Sequence, residues 1–201
     1  MHLSFAVHKL AKISENPGKI HFEGLVHILR YIMYNKTLRL KYYADMNDAP
    51  VTDLLRQASI KTENHLMDFS DSSCKDSPDT DKSTGEYIIF YQGGPIDHDT
   101  HVPGPVSQES AESEYNSACT AGMALAHFRT AIHEFLNKYP DKVTEEAPLI
   151  VLDSKSAMCM AKNCKDTKHT RYILRRMHFV RNEEKCKIHK IYWCEVCLRF
   201  V

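Results

Sequence analysis

The chain has 201 residues, enough for one or two small domains of the usual roughly 100–150 residues. Hydrophobic residues make up 43% and charged residues 26%, which excludes the composition of a disordered chain. Lys plus Arg and Asp plus Glu both number 26, so net charge alone points to no class of partner.

Residues 2–14 place Phe5, Leu10 and Ile13 near one face of a helix. Asn16-Pro17-Gly18 breaks it. A second helix over Lys19–Asn35 carries Phe22, Leu25, Ile28, Leu29 and Ile32 at 3–4 spacing, so the two form a short helical hairpin. Alternation at 38–45 predicts a strand or extended tail, and the polar stretch 44–65, with a weak helical centre at Thr52–Ala58, is expected to be a tether. Leu66–Asp71 is a short strand, 72–85 a turn-rich connection, and Glu86–Tyr91 the best-written strand of the chain. Gly93-Gly94-Pro95 is a turn, and a third strand, interrupted by His, Asp and Pro, falls within 95–106. Ser110–Lys138 is the longest helix, with Tyr115, Ala118, Met123, Leu125, Phe128, Ile132 and Phe135 in its apolar set. Pro148–Asp153 is a buried-type strand ending in an acid. Helices over Ser154–Asn163 and Tyr172–Glu184 and a strand over Lys187–Trp193 complete the order β-β-β-α-β-α-α-β. Three meandering strands followed by alternating elements predict an α/β fold, a mixed sheet with helices on its faces.

Two of these strands end in Asp, at Asp71 and Asp153, and Glu112 lies in the first turn of the long helix. Neighbouring strand ends in an α/β sheet share the edge where ligands bind. Three carboxylates converging there repel one another unless cations lie between them, and hard Mg²⁺ or Mn²⁺ ions prefer such oxygen ligands. Two such ions about 4 Å apart activate a water and stabilise the leaving oxygen in phosphodiester cleavage. Acids at strand and helix ends are also common as caps and turn formers, and the residues alone leave that choice open. Asp68 competes with Asp71 for the site, but residues three apart on a strand face opposite sides. Charge distribution adds a hint: 63–81 and 97–114 are acidic, while 162–190 is dense in Lys, Arg and His. An acidic cluster beside a basic strip suits a metal site next to a polyanion.

A set of short motifs narrows the choice. SFAVHKLA at 4–11, NPGK at 16–19, HILRYI at 27–32 and LKYY at 40–43 resemble the end of the reverse transcriptase of copia-type long-terminal-repeat retrotransposons. FSDSSC at 69–74 is similar to that family's YSDSDW, and DKSTGEYIIF at 81–90 to its DRRSTSGYVFF. GGPI at 93–96, SAESEY at 110–115, LDSKSA at 152–157, KNCKDTKHTRYI at 162–173 and HFVR at 178–181 follow in the family's order and spacing. The resemblance covers about residues 3–193. It implies a thumb-like helical end of a reverse transcriptase at 1–43, a tether at 44–65, and at 66–201 a ribonuclease H-like domain with a mixed five-stranded sheet. It carries the three metal-holding, catalytic acids onto Asp71, Glu112 and Asp153 and leaves Glu114 an outer role. The expected activity is two-metal hydrolysis of the RNA strand of an RNA–DNA hybrid with Mg²⁺ or Mn²⁺. Lys168, His169, Arg171, Arg175, Arg176 and Arg181, on the basic helix, are the expected phosphate contacts. Other retroelement proteins are further expected partners.

Departures from the family pattern temper the activity. The family's fourth acid lies in a LADIxTK-like segment, whereas this sequence reads CLRFV at 197–201, so the second metal site is expected to lack a ligand. The helix that carries it in the family is expected to be lacking too, and Cys74 stands where the family has Trp. The competing expectation is a catalytically inactive, nucleic-acid-binding remnant. No Tyr-x-Asp-Asp occurs, so reverse transcription is not expected. Cys186, His189, Cys194 and Cys197 have ligand types that suit Zn²⁺, but a strand running through them argues against a metal site. No apolar run approaches the roughly 20 residues of a membrane span, and Met1-His2-Leu3-Ser4 is not a secretory leader. The expectation is therefore an intracellular protein, cytoplasmic or nuclear, with reduced thiols.

Overall fold

A computed structural model describes residues 3–60, 66–73, 82–102, 107, 109–137, 147–162, 182 and 189–194. The chain divides into two compact units, Met1–Lys41 and Tyr42–Val201.

The first unit holds the two expected helices, α1 (Ser4–Ala11) and α2 (Lys19–Tyr34). The Gly18 N–H that opens α2 donates to His21 Nδ1 at 2.9 Å, which satisfies one group at a helix start. Leu10 of α1 packs on Gly24 of α2. Ile28 is buried in this unit, whereas Phe22, Leu25, Leu29 and Ile32 are exposed.

The second unit is built on a five-stranded sheet of order β3-β2-β1-β4-β5. Its strands are β1 (Leu66–Ser73), β2 (Thr84–Tyr91), β3 (Gly94–His101), β4 (Leu149–Leu152) and β5 (Lys190–Trp193). β1, β2 and β3 form an antiparallel meander, and β4 and β5 run parallel to β1. The mixed five-stranded α/β sheet expected from the sequence is thus present. The turn between β2 and β3 is Gln92-Gly93, with φ of 51° and 69°, tighter than the turn expected at 93–95. Positive φ at both central residues is the hairpin form whose twist matches that of the strands. A side chain at Gly93 would also meet the Cβ of Ala49 at 2.3 Å. Segment 38–45 is not a strand; Tyr43 N–H bonds to Gln92 O at 3.1 Å and the Tyr42 hydroxyl to Pro95 O at 2.9 Å.

The two faces of β1 separate by period two. On one face, Leu66 joins Tyr87, Ile89, Ile150 and Leu152 under the long helix α4 (Ser110–Leu136), which contributes Tyr115, Ala118, Ala121 and Leu125. Helix α5 (Lys155–Lys162) adds Ala157 and Ala161 to the same cluster. On the other face, Met67 and Phe69 pack with Ile88, Phe90, Leu149 and Val151. Met123 and Phe135, assigned to the apolar face of the long helix, point to solvent instead.

The expected tether, 44–65, is corrected over its described part. It forms helix α3 (Pro50–Gln57), with Pro50 at its first position where a missing N–H costs nothing. Ala49, Val51, Leu55 and Ile60 are buried against Met67 and Phe69. Four apolar residues among polar ones looked like a linker in sequence, yet they cover the second face of the sheet. Leu55→Ala is therefore expected to destabilise the unit by about 2–5 kcal/mol in urea unfolding. A residue of a solvated tether would change stability by less than about 0.5 kcal/mol.

Candidate metal centre

The parallel register aligns Ser70 of β1 with Leu152 of β4. One step further on each strand stand Asp71 and Asp153, side by side at the carboxyl ends of neighbouring parallel strands. Helix α4 crosses this edge with its first turns. Glu114 lies three, four and seven residues before Ser117, Ala118 and Ala121, so it belongs to the stripe that faces the sheet. Carboxylate oxygens of Asp71, Glu114 and Asp153 lie within 4.8 Å of one another.

Glu112, the helix acid assigned by the sequence, is not in this group. Two residues along a helix is a rotation of roughly 200°, so Glu112 and Glu114 cannot serve the same edge. Glu112 is buried in the first turn of α4, where the helix dipole favours an acid. The motif SAESEY carries both Glu residues; the resemblance assigned the first, and the motif alone could not test that choice. Helical phase relative to Ala118 and Ala121 was the signal that could.

The cluster is electrostatically loaded. Burial, then the charges of Asp153 and Asp71, push the Glu114 carboxyl up to about 8. Burial raises Asp153 and then the Asp71 charge raises it further. Burial also raises Asp71, opposed by the Ser72 N–H, which donates to Asp71 Oδ1 at 2.7 Å. Glu114 Oε2 and Asp153 Oδ1 are buried with no hydrogen-bond partner. Buried acceptor oxygens without donors, in a set where the Asp71 charge raises both other carboxyls, are the donor chemistry of a hard divalent cation.

Neighbouring side chains hold the backbone at both strand ends. Ser117 Oγ lies 2.9 Å from Asp71 O and 3.1 Å from Glu86 O. Trp193 Nε1 donates to Asp153 O at 2.7 Å. Neither residue carried a signal in sequence, because each acts on a main-chain carbonyl.

Asp68, the competing acid, pairs across to Ile89 and Ile150, both in the cluster under α4. It is fully buried, and burial pushes its carboxyl well above the usual range, with the Ser70 hydroxyl opposing. It stands within the core and outside the three-acid cluster. The phosphate contacts expected at Lys168, His169, Arg171, Arg175, Arg176 and Arg181 lie outside the described residues. So do Cys186 and Cys197 of the weighed zinc set. His189 is buried, and burial with the Arg129 charge lowers its imidazole to about 4. Cys194 is disulfide-bonded, contrary to the expectation of reduced thiols, whereas Cys119 and Cys159 are free.

Glu114 makes stability depend on pH. Its folded value of about 8 lies above its ordinary 4.5, so between these the unfolded chain has lost a proton that the folded chain keeps. Stability therefore falls as pH rises through that window. In metal-free buffer the melting temperature of the wild type is expected to drop from pH 5 to pH 8, and Glu114→Gln is expected to flatten that drop. Parallel profiles for the two proteins would contradict the assignment.

No family profile matches the chain. The Retrovirus-related Pol polyprotein from transposon TNT 1-94 of Nicotiana tabacum is 24% identical over 192 residues, which cover 94% of this chain. The chain spans 13% of that relative's length. Among solved structures, RNase H1 from Halobacterium salinarum NRC-1 aligns with a TM-score of 0.47 at 13% identity, over 68% of this chain and 90% of that one. LC11-RNase H1, in complex with an RNA/DNA hybrid, aligns with a TM-score of 0.44 at 10% identity, over 65% and 86%. The foamy viral protease-reverse transcriptase in complex with double-stranded DNA covers 96% of this chain and 30% of its own, with a TM-score of 0.35 and 13% identity. Among the described residues no helix is long and apolar enough to cross a membrane. Over nearly its full length the chain is similar to part of a retrovirus-related Pol polyprotein, and its second unit is a mixed five-stranded α/β sheet.

Proposed function

We propose that the second unit is a ribonuclease H-type nuclease domain of copia-type retrotransposon origin, acting on the RNA strand of RNA–DNA hybrids. The observation that carries this reading is the gathering of Asp71, Glu114 and Asp153 at one sheet edge. The substrate class is the one implied by the motif resemblance at 69–74, 110–115 and 152–157, and the similarity to a Pol polyprotein is consistent with it. The metal ligands of the reading are therefore Asp71, Glu114 and Asp153, with Glu114 in place of Glu112.

A bound divalent cation supplies Lewis-acid stabilisation of the reacting phosphate and a more acidic water. The chain's own part is to hold three carboxylates close enough to share that charge. Asp71 and Asp153 are fixed by adjacent strands, and Glu114 closes the site from the helix. Glu114 keeps its proton near neutral pH in the metal-free protein, so cation binding is coupled to release of that proton. The basic run containing Lys168, His169, Arg171, Arg175, Arg176 and Arg181 supplies phosphate contacts in this reading, which makes hybrid binding weaken with salt.

A second reading, binding without cleavage, is favoured by the size of the cluster: three acids gather among the described residues, against four in the family pattern. A labelled RNA–DNA hybrid incubated with the purified chain and Mn²⁺ separates the two. The nuclease reading expects RNA-strand cleavage that falls about 100-fold or more in Asp71→Asn, Glu114→Gln and Asp153→Asn, the upper range seen for loss of metal-supporting groups. Glu112→Gln is expected to retain cleavage. Hybrid binding with no cleavage by the wild type would favour the second reading. Cleavage lost in Glu112→Gln but kept in Glu114→Gln would overturn the ligand set.

A further inference from the structure

Trp193 is the sole tryptophan of the chain and the last residue of β5. It pairs with Leu152 at the end of the β4–β5 ladder. The Cys194 N–H bonds to Leu152 O at 2.8 Å. The next carbonyl, that of Asp153, lies beyond the ladder, where no strand among the described residues supplies a donor. A backbone carbonyl in a partly buried place needs one. The Trp193 indole N–H meets it at 2.7 Å. On the other side of Asp153, Ser154 Oγ accepts the Ala157 N–H at 3.1 Å and starts α5. Lys155, in the first turn of α5, places its ammonium 3.9 Å over the Trp193 ring. The main chain of Asp153 is thus held from both directions, and the ring that holds it is itself held by a cation.

Carboxylates that share a cation must sit within about 0.5 Å of the productive geometry, and groups behind the ligands supply that precision. Rotation about the Asp153 side-chain bonds is then the main freedom left to its carboxylate. Asp71, on the other strand, has a comparable support in Ser117 of helix α4.

We propose that Trp193, steadied by Lys155, is a positioning residue for Asp153, aligning its carboxylate with those of Asp71 and Glu114 for a divalent cation. The proposal rests on the metal-site reading above and extends it to a residue that touches no ligand oxygen. The Trp193→Phe variant keeps an aromatic ring at this place and removes the indole N–H together with part of the ring.

The test is Mn²⁺ binding by titration calorimetry on the full chain, with melting temperature measured alongside. Wild type is expected to bind Mn²⁺. Trp193→Phe is expected to melt near the wild type and to bind about tenfold more weakly, the loss typical of a group that orients a ligand. The double variant Trp193→Phe/Asp153→Asn is expected to bind no more weakly than Asp153→Asn, because the two residues act as one unit. Equal Mn²⁺ affinity in Trp193→Phe and wild type would overturn the proposal and leave the metal site standing. A full additional loss in the double variant would also overturn it, since a general structural effect adds. No Mn²⁺ binding by the wild type would instead overturn the metal-site reading and this proposal with it. Should Trp193→Phe fail to fold, the wild type decides: the emission of its single indole is expected to change with Mg²⁺ saturation. Unchanged emission at saturating Mg²⁺ would overturn the proposal.

Discussion

The parallel pairing of β1 with β4 is the constraint on which the rest of the second unit depends. A parallel pair needs a long crossover, and here that connection includes β2, β3 and the 27-residue helix α4. The pairing buries β1 on both faces, under α4 on one side and α3 on the other. It also sets Asp71 and Asp153 at the same level of the sheet. Because α4 must lie across β1 and β4 to bury Ala118, Ala121 and Leu125, its sheet-facing stripe delivers Glu114 to the same edge. Core packing and site assembly are one geometric event.

Such an edge is costly when empty of counter-charge. Three carboxylates are desolvated together, and each of the three is raised from its ordinary range by burial. The fold tolerates this because the surrounding backbone is well tied: Ser117 reaches the carbonyl of Asp71, and Trp193 that of Asp153. Desolvated carboxylates gathered in one place, with buried acceptor oxygens that find no donor, are what makes this edge the candidate site.

Much of this was legible in the residues. EYIIFY could only be a strand, and the run LIVL before Asp153 had the apolar continuity of a strand buried on both faces. Gly93 announced a turn, although the need for its φ of 69° came from the hairpin and its missing side chain from Ala49. Other parts were hidden for physical reasons. Val51 and Leu55 sit in a polar stretch whose burial depends on a sheet face far away in sequence. Glu112 and Glu114 differ only in helical phase, which a motif does not record. Trp193 acts through a main-chain oxygen, so its pairing with Asp153 leaves no sequence signature. Asp68 showed the converse: an acid on the central strand that looked like a site residue and is buried beneath α4.

The central claim is that Glu114, with Asp71 and Asp153, holds a divalent cation at the carboxyl edge of β1 and β4. Anomalous scattering from crystals of the chain soaked in Mn²⁺ tests it most directly. The account predicts a peak roughly 2 Å from oxygens of all three carboxylates, the distance expected for a small hard cation. A peak coordinated by Glu112, or Mn²⁺ bound elsewhere with these three carboxylates left bare, would contradict it.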